Sequence, residues 1–476
     1  IFGTLLENRF SRTIINFNKM KKLLAFIFFI SSFSYAQYNI EGTMTPTIES
    51  DWVILYKIEG ARQHFVQNSK IKTDSINVEG KKQAIGTFNF KLPKDTKIGS
   101  YRVTYRLEGA GFVDFLFNKE DVSFGFHPEY PDQSIVFYNS KENIFYKNYL
   151  DTIAKAQQTL DSIQVASLQN PNLNLKADYK TAFSKVSSIQ NEYLEASKGM
   201  YVQPFIKASF RNSPSEIIET PQKYMSNMVN TFFDRMDFNN KTLLNSSFLI
   251  DRITDYVFYI NFSDDAVMQQ KLHKESVEKV LSKVENLPFK KDVIEFLISQ
   301  FEGTLNLELI DYLFEKHYNK LPIGLQNKKF KEEKLALLAA EVGRTAPDFS
   351  WKENGKTLKL STLNEAENYL LIFWSTGCPH CVKEIPVLHE SMKDRNDISI
   401  VSFGIEKDNI AWTEFVKTLP NWHNAIGTHP TWKWDNETVK AYQLLATPSY
   451  FVLDSNKKII AMPDHMEDVQ KYFEKN

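Results

Sequence analysis

Only two cysteines occur in the chain, and they stand together as Cys378-Pro379-His380-Cys381 behind an apolar run from Tyr369 to Trp374. A near-continuous apolar run of that kind suits a strand buried on both faces, hence a parallel strand flanked by helices. Pro379 then suits the first turn of a helix, where its missing N–H costs nothing. A second apolar strand runs from Ile398 to Ile405, and a helical stretch covers Ala411 to Lys417. Tyr450 to Leu453 and Lys458 to Met462 read as a hairpin, and Glu467 to Phe473 as a closing helix. Upstream, Glu353-Asn354-Gly355-Lys356 carries the Asn-Gly signature of a tight hairpin turn. From about Gly343 onward this order predicts an α/β domain with a mixed sheet covered on both faces.

A chain of 476 residues is too long for one hydrophobic core, so further domains precede this one. Residues 37–140 read as short strands: Val53 to Tyr56, Gly86 to Leu92, Ser100 to Leu107 and Phe112 to Phe117 are rich in β-branched and aromatic residues. The alternation in Thr87-Phe88-Asn89-Phe90-Lys91-Leu92 fits a sheet with one solvated face, so we expect a sandwich-like antiparallel β domain. Residues 141–342 change texture. Val277, Val280, Leu281 and Val284, then Val293, Phe296, Leu297 and Phe301, recur at helical spacing. Pro214, Pro221, Pro288 and Pro322 divide this all-α middle region into separate helices. The formal net charge is −1 with Lys and Arg scattered, which argues against a nucleic-acid or anionic-membrane partner.

The expected organisation thus starts with an N-terminal extension and leader over residues 1–36. From Met20 a basic Lys21-Lys22 precedes an apolar run from Leu23 to Ile30 and small residues at Ser34 and Ala36. That pattern reads as a secretory signal peptide cut before Gln37. The apolar run is shorter than the roughly 20 residues that span a bilayer, so an uncleaved anchor is the weaker reading. Export to a bacterial periplasm follows.

A stapled secreted protein would spread more cysteines along its length. Here every thiol is in one place, so chemistry is a better reading than scaffolding. At a helix start, unpaired backbone N–H groups and the helix dipole favour a Cys378 thiolate. Cysteines so placed have pKa values lowered to roughly 3.5–7.5. Cys381, one turn in, is positioned to resolve a mixed disulfide on Cys378, so the pair exchanges two electrons with a partner. Structural zinc wants four ligands and no second cysteine pair exists. His389, His423 and His429 are the residues that would have to complete a metal site; no metal and no cofactor is expected.

The segment Phe373-Trp374-Ser375-Thr376-Gly377-Cys378-Pro379-His380-Cys381-Val382-Lys383-Glu384-Ile385-Pro386 resembles the active site of TlpA/ResA-type disulfide oxidoreductases, thioredoxin-fold enzymes of the bacterial envelope. Ala346-Pro347-Asp348-Phe349 and Ala446-Thr447-Pro448-Ser449-Tyr450-Phe451-Val452-Leu453-Asp454 fit the same family. The β domain resembles, more weakly, a domain fused to such enzymes in Bacteroidetes. The resemblance implies Cys378 as the attacking cysteine, Cys381 as the resolving one, and a reversible Cys378–Cys381 disulfide. It implies Pro448 as a cis-proline beside the cysteines, leaving Thr447 to pair with a substrate strand. Glu384 matches the family's partly buried acid, placed to take the proton of Cys381; a solvated helix glutamate is the plainer alternative. Trp374 is expected to pack under the active-site loop, with a purely core role equally open, and it is added with His380 as a substrate-side candidate; Pro386 is expected to kink the helix.

Two positions depart from the family pattern. Gly377 stands where the family often has Trp, and Pro379-His380 is the dipeptide of strongly oxidising DsbA-type oxidases. A cationic His there would stabilise the reduced thiolate. The expected activity is a periplasmic thiol–disulfide oxidoreductase, a reductase fed by a membrane electron donor, acting on exported proteins or on apocytochrome c. A dithiol oxidase is the first alternative. An envelope binding protein with a regulatory redox site is the second. The sequence leaves substrate, donor, oligomeric state and the role of the preceding domains open.

Overall fold

The computed structural model describes residues 37–78, 80–106 and 111–475. The expected leader lies outside the described residues, as do Glu79 and Leu107. Among the described residues no helix is long and apolar enough to cross a membrane. The chain divides into two units, Ile1–Leu325 and Gln326–Asn476.

The first unit opens with two sheets. One has the order β4-β5-β1-β8-β9, built from β1 (Gln37–Met44), β4 (Lys72–Val78), β5 (Lys81–Pro93), β8 (Val122–Phe126) and β9 (Val136–Phe137). The other has the order β3-β2-β6-β7, from β2 (Trp52–Glu59), β3 (Arg62–Lys70), β6 (Gly99–Thr104) and β7 (Phe112–Phe117). Their facing side chains close on one core: Ile40, Phe88, Phe90 and Phe124 from the first sheet meet Leu55, Tyr101, Val103 and Phe115 from the second. This is a sandwich. One pairing differs from the expected antiparallel pattern: β1 and β8 run parallel, with Ile40 opposite Val122. Strands that meet this way are joined through the other sheet, and no local turn signal announces the pairing.

Helices follow from Lys141. Ser140 caps α1 (Lys141–Gln169) by accepting from the Asn143 N–H. Asn143 in turn bonds both backbone groups of Leu116 in β7, at 2.7 Å each, which ties the helix to the sandwich. The two apolar stripes seen in the sequence lie on α3 (Ala266–Lys283) and α4 (Leu287–Gly303), after α2 (Lys176–Ala196). Val277, Val280, Val293 and Leu297 are wholly buried, as the stripe spacing demands.

The second unit carries a five-stranded mixed sheet in the order β14-β13-β12-β15-β16. Its strands are β12 (Asn368–Trp374), β13 (Ile398–Glu406), β14 (His423–Thr428), β15 (Ser449–Asp454) and β16 (Ile459–Ala461). β12 pairs with β13 in parallel and with β15 antiparallel. Ahead of it, β10 (Ser350–Glu353) and β11 (Lys356–Lys359) form the hairpin foreseen from Asn354-Gly355. Both turn residues have positive φ, 49° and 77°, as a type I′ turn requires. The sheet is sandwiched between two apolar layers. Leu371, Phe373, Phe403 and Phe451 face one side, while Leu370, Ile372, Trp374 and Val452 face α5 (Pro379–Met392) and α6 (Met466–Lys475) on the other.

Candidate active site

β12, the central strand of the sheet, is buried from Tyr369 to Trp374 and delivers the chain to a short loop, Ser375-Thr376-Gly377, at its C-terminal end. Three contacts hold that loop. The carboxylate of Glu406, at the end of β13, accepts from the Thr376 N–H at 2.5 Å. Ser375 is wholly buried, and its Oγ accepts from the Gly377 N–H at 3.2 Å and from Lys433 Nζ at 2.6 Å. The Cys378 N–H reaches back to the Ser375 carbonyl at 3.1 Å.

Cys378 is the N-cap of α5, with extended backbone angles of φ −103° and ψ 109°. Its Sγ takes the place of a capping oxygen and accepts from the Cys381 N–H at 3.2 Å. The Sγ–H donates to the Thr447 carbonyl at 3.3 Å. Cys378 is half-buried and Cys381 wholly buried, both as free thiols. Burial pushes the Cys378 thiol up, but hydrogen bonds from Cys381, the Thr447 side chain and the His380 N–H outweigh it, and the net shift is downward. Cys381 goes the other way. Burial first, then its contact with Cys378, push it up to about 12. One thiol of the pair is thereby prepared to ionise while its neighbour stays protonated.

The remaining candidates fall as follows. The Thr447–Pro448 peptide bond is cis, with both residues half-buried beside Cys378. Glu384 lies one helical turn beyond Cys381 and is half-buried. His380 is exposed. Trp374 packs beneath the loop as expected, and only its place among the substrate-side candidates is corrected, because it is wholly buried. Its indole N–H donates to Ser402 Oγ at 2.8 Å and its ring packs on Phe415. It supports the loop from beneath and cannot touch a partner. The helix α5 runs on through Pro386 to Met392. At Gly377 the backbone makes no demand for glycine: φ is not positive, and an added Cβ would find only Ser375 Oγ at 3.7 Å and Lys433 Nζ at 3.9 Å.

The three histidines weighed as metal ligands lie elsewhere. His423 is held between Glu353 and Glu365, His389 bonds the Pro420 carbonyl, and His429 accepts from the Trp432 N–H. Among the described residues no group of three His, Cys, Asp or Glu side chains is arranged to hold a metal ion. Sequence reasoning passed over Glu406, Ser375 and Lys433. Only Glu406 left a signal: a carboxylate closing the apolar strand from Ile398 to Ile405 needs a partner, since Glu is rarely buried unpaired.

Residues 342–462 match the AhpC/TSA family. The thiol–disulfide oxidoreductase ResA of Bacillus thuringiensis subsp. konkukian is 29% identical over 135 residues, covering 27% of this chain and 70% of that protein. ResA of Bacillus subtilis is 28% identical over 122 residues, 25% of this chain and 64% of that protein. Among solved structures, a domain of a possible thiol-disulfide isomerase from Cytophaga hutchinsonii is 27% identical, covers 28% of this chain and 92% of its own, and has a TM-score of 0.25. A C-terminal domain of a putative thiol-disulfide oxidoreductase from Bacteroides thetaiotaomicron is 21% identical over 29% of this chain, 96% of its own, with a TM-score of 0.26.

The sheet, the cysteine pair at a helix start and the family match define the C-terminal unit as a thioredoxin-fold redox domain. More narrowly, it is a thiol–disulfide oxidoreductase domain with ResA-like relatives.

Proposed function

We propose that the protein is an exported, periplasmic protein-disulfide reductase in which Cys378 attacks and Cys381 resolves. The observation that carries the roles of the two cysteines is their placement, Cys378 half-buried at the helix N-cap and Cys381 wholly buried one turn in, with the two thiols shifted in opposite directions. A thiolate on Cys378 attacks one sulfur of a substrate disulfide and one substrate thiolate leaves. Cys381 then gives its proton to the Glu384 carboxylate, and its thiolate attacks Cys378 Sγ. The second substrate thiolate leaves, the Cys378–Cys381 disulfide forms, and two electrons have passed to the substrate. A membrane donor returns the pair to the dithiol.

A protein substrate suits the surroundings of Cys378. Among the described residues the β12–β15 ladder begins at Ser449, so Thr447 lies outside it with its carbonyl taken by the Cys378 thiol, and Leu445 just ahead of it is 95% exposed. An extended chain segment carrying the disulfide would bond the Thr447 backbone and cover Leu445. Export rests on the basic and apolar pattern from Met20 to Ala36.

One observation favours a second reading. His380 is exposed between the cysteines with its N–H turned to Cys378, and a cation there would favour the reduced form, as in a dithiol oxidase. Titration of the pair against thiol–disulfide buffers separates the two. We expect a potential near thioredoxin's, about −270 mV. A value near about −120 mV would make the protein a disulfide donor instead.

A further inference from the structure

Tyr450 stands two residues beyond Pro448 on β15, opposite Ile372 of β12. That register turns its side chain to the α5 face, into one layer with Ile372, Trp374, Cys381 and Ile385. The residue is 2% exposed. Its hydroxyl is buried, and among the described residues it hydrogen-bonds no protein group. A phenol oxygen in such a layer is anomalous, because an unpaired buried hydroxyl is destabilising and Phe would fill the same space without it. A buried polar group without a resting partner invites a functional explanation.

The charged groups around the hydroxyl point to that function. Burial is the main influence keeping the phenol protonated, and the charges of Glu384 and Cys381 from α5, Glu467 from α6 and Cys378 at the helix start add to it. A protonated phenol can only donate toward an anion. Of the anions that form or lie around this layer during disulfide exchange, the Cys378 thiolate and the Glu384 carboxylate are half-buried, and only the thiolate of Cys381 is enclosed in the layer with the phenol.

We infer that the Tyr450 hydroxyl is a hydrogen-bond donor held for the Cys381 thiolate that forms when the mixed disulfide is resolved. This rests on the proposed exchange through Cys378 and Cys381. Tyr450 gains and loses no proton. The Cys381 proton goes to the Glu384 carboxylate, the S–S bond between Cys378 and the substrate breaks, the Cys378–Cys381 bond forms, and the substrate sulfur leaves with the electron pair. As the Cys381 thiolate forms, the neighbouring hydroxyl turns to it, and the hydrogen bond gained then lowers the barrier to the second step alone.

The test uses the full chain, reduced, with the aromatic disulfide 5,5′-dithiobis(2-nitrobenzoate). Attack by Cys378 releases the first thionitrobenzoate and resolution by Cys381 releases the second. In Tyr450→Phe the first release should keep its rate within about twofold, while the second slows by roughly tenfold or more, as loss of a bond to a charged group implies. The pH midpoint of the second release should also move upward. An unchanged second release, in rate and midpoint, overturns the role of Tyr450. Loss of the first release in Cys378→Ser is required by the exchange reading itself, and its persistence would overturn that reading instead. Should Tyr450→Phe disturb the first release, thiolate absorbance of Cys381 is titrated in Cys378→Ser with and without Tyr450→Phe. An upward shift supports the inference and coincident curves overturn it.

Discussion

Cys378 and Cys381 are the same side chain one helical turn apart, and their environments alone separate them. Cys378 occupies the cap, where backbone N–H groups have no helical partner and favour an anion. Cys381 points back into the apolar layer with Ile385 and Leu388, where a charge is disfavoured. The loop that presents them depends on Glu406, whose carboxylate bonds the Thr376 N–H. Glu406→Ala leaves that amide without its partner and should lower the unfolding free energy by about 1–3 kcal/mol. Urea denaturation reads this as a lower midpoint, with Glu406→Gln, which keeps an acceptor, intermediate. The pair Cys378/Cys381 was legible from spacing alone, since Pro379 marks the helix start. Trp374 was not, because a tryptophan before a cysteine motif suits a core and a rim equally, and only its bond to Ser402 decides for the core.

At the scale of elements, β14 shows what periodicity misses. His423-Asn424-Ala425-Ile426-Gly427-Thr428 has no clear alternation, yet it pairs with β13 and anchors the β10–β11 hairpin through His423. Nδ1 lies 2.9 Å from Glu353 and Nε2 2.5 Å from Glu365. Carboxylates only accept, so both ring nitrogens donate and the ring is an imidazolium. Burial pushes His423 down, but its bonds to Glu353 and Glu365 outweigh burial and raise it. Burial pushes Glu365 up, but its bonds from Ser399 and His423 lower it. The His423 contribution is therefore complete below its unfolded value of 6.5 and lost as pH rises through the higher folded value. The Glu365 contribution is complete above 4.5 and lost as pH falls through the lower folded value. Urea midpoints taken from pH 4 to 9 should peak between those two values, and His423→Gln should flatten the alkaline fall. Strands β3 and β4 were missed for a related reason. Each is an edge strand with mostly exposed, polar side chains, so neither face carries an apolar signal.

At the scale of the molecule, sequence texture separated strands, helices and a final α/β domain because each has its own hydrophobic period. What it could not give was pairing at a distance. The parallel contact of β1 with β8 joins residues far apart in the chain, and the approach of Thr447 to Cys378 was legible only through the family resemblance, not through any local pattern. The helix Lys328–Leu337, part of the expected helical middle, falls in the second unit. The first unit has its own cores, around Phe90 and Phe115 in the sandwich and around Leu160 and Tyr179 in the helices. In the second unit, we propose, one thiol of the pair is made reactive by its place at the helix start while the other is kept silent. The direct measurement is iodoacetamide labelling of the reduced full chain across pH, with each cysteine followed by mass spectrometry. We expect Cys378 to label with a midpoint below the ordinary cysteine value of about 8.5, and Cys381 to stay unlabelled until the chain unfolds. Equal labelling of the two, or Cys381 first, would contradict the account.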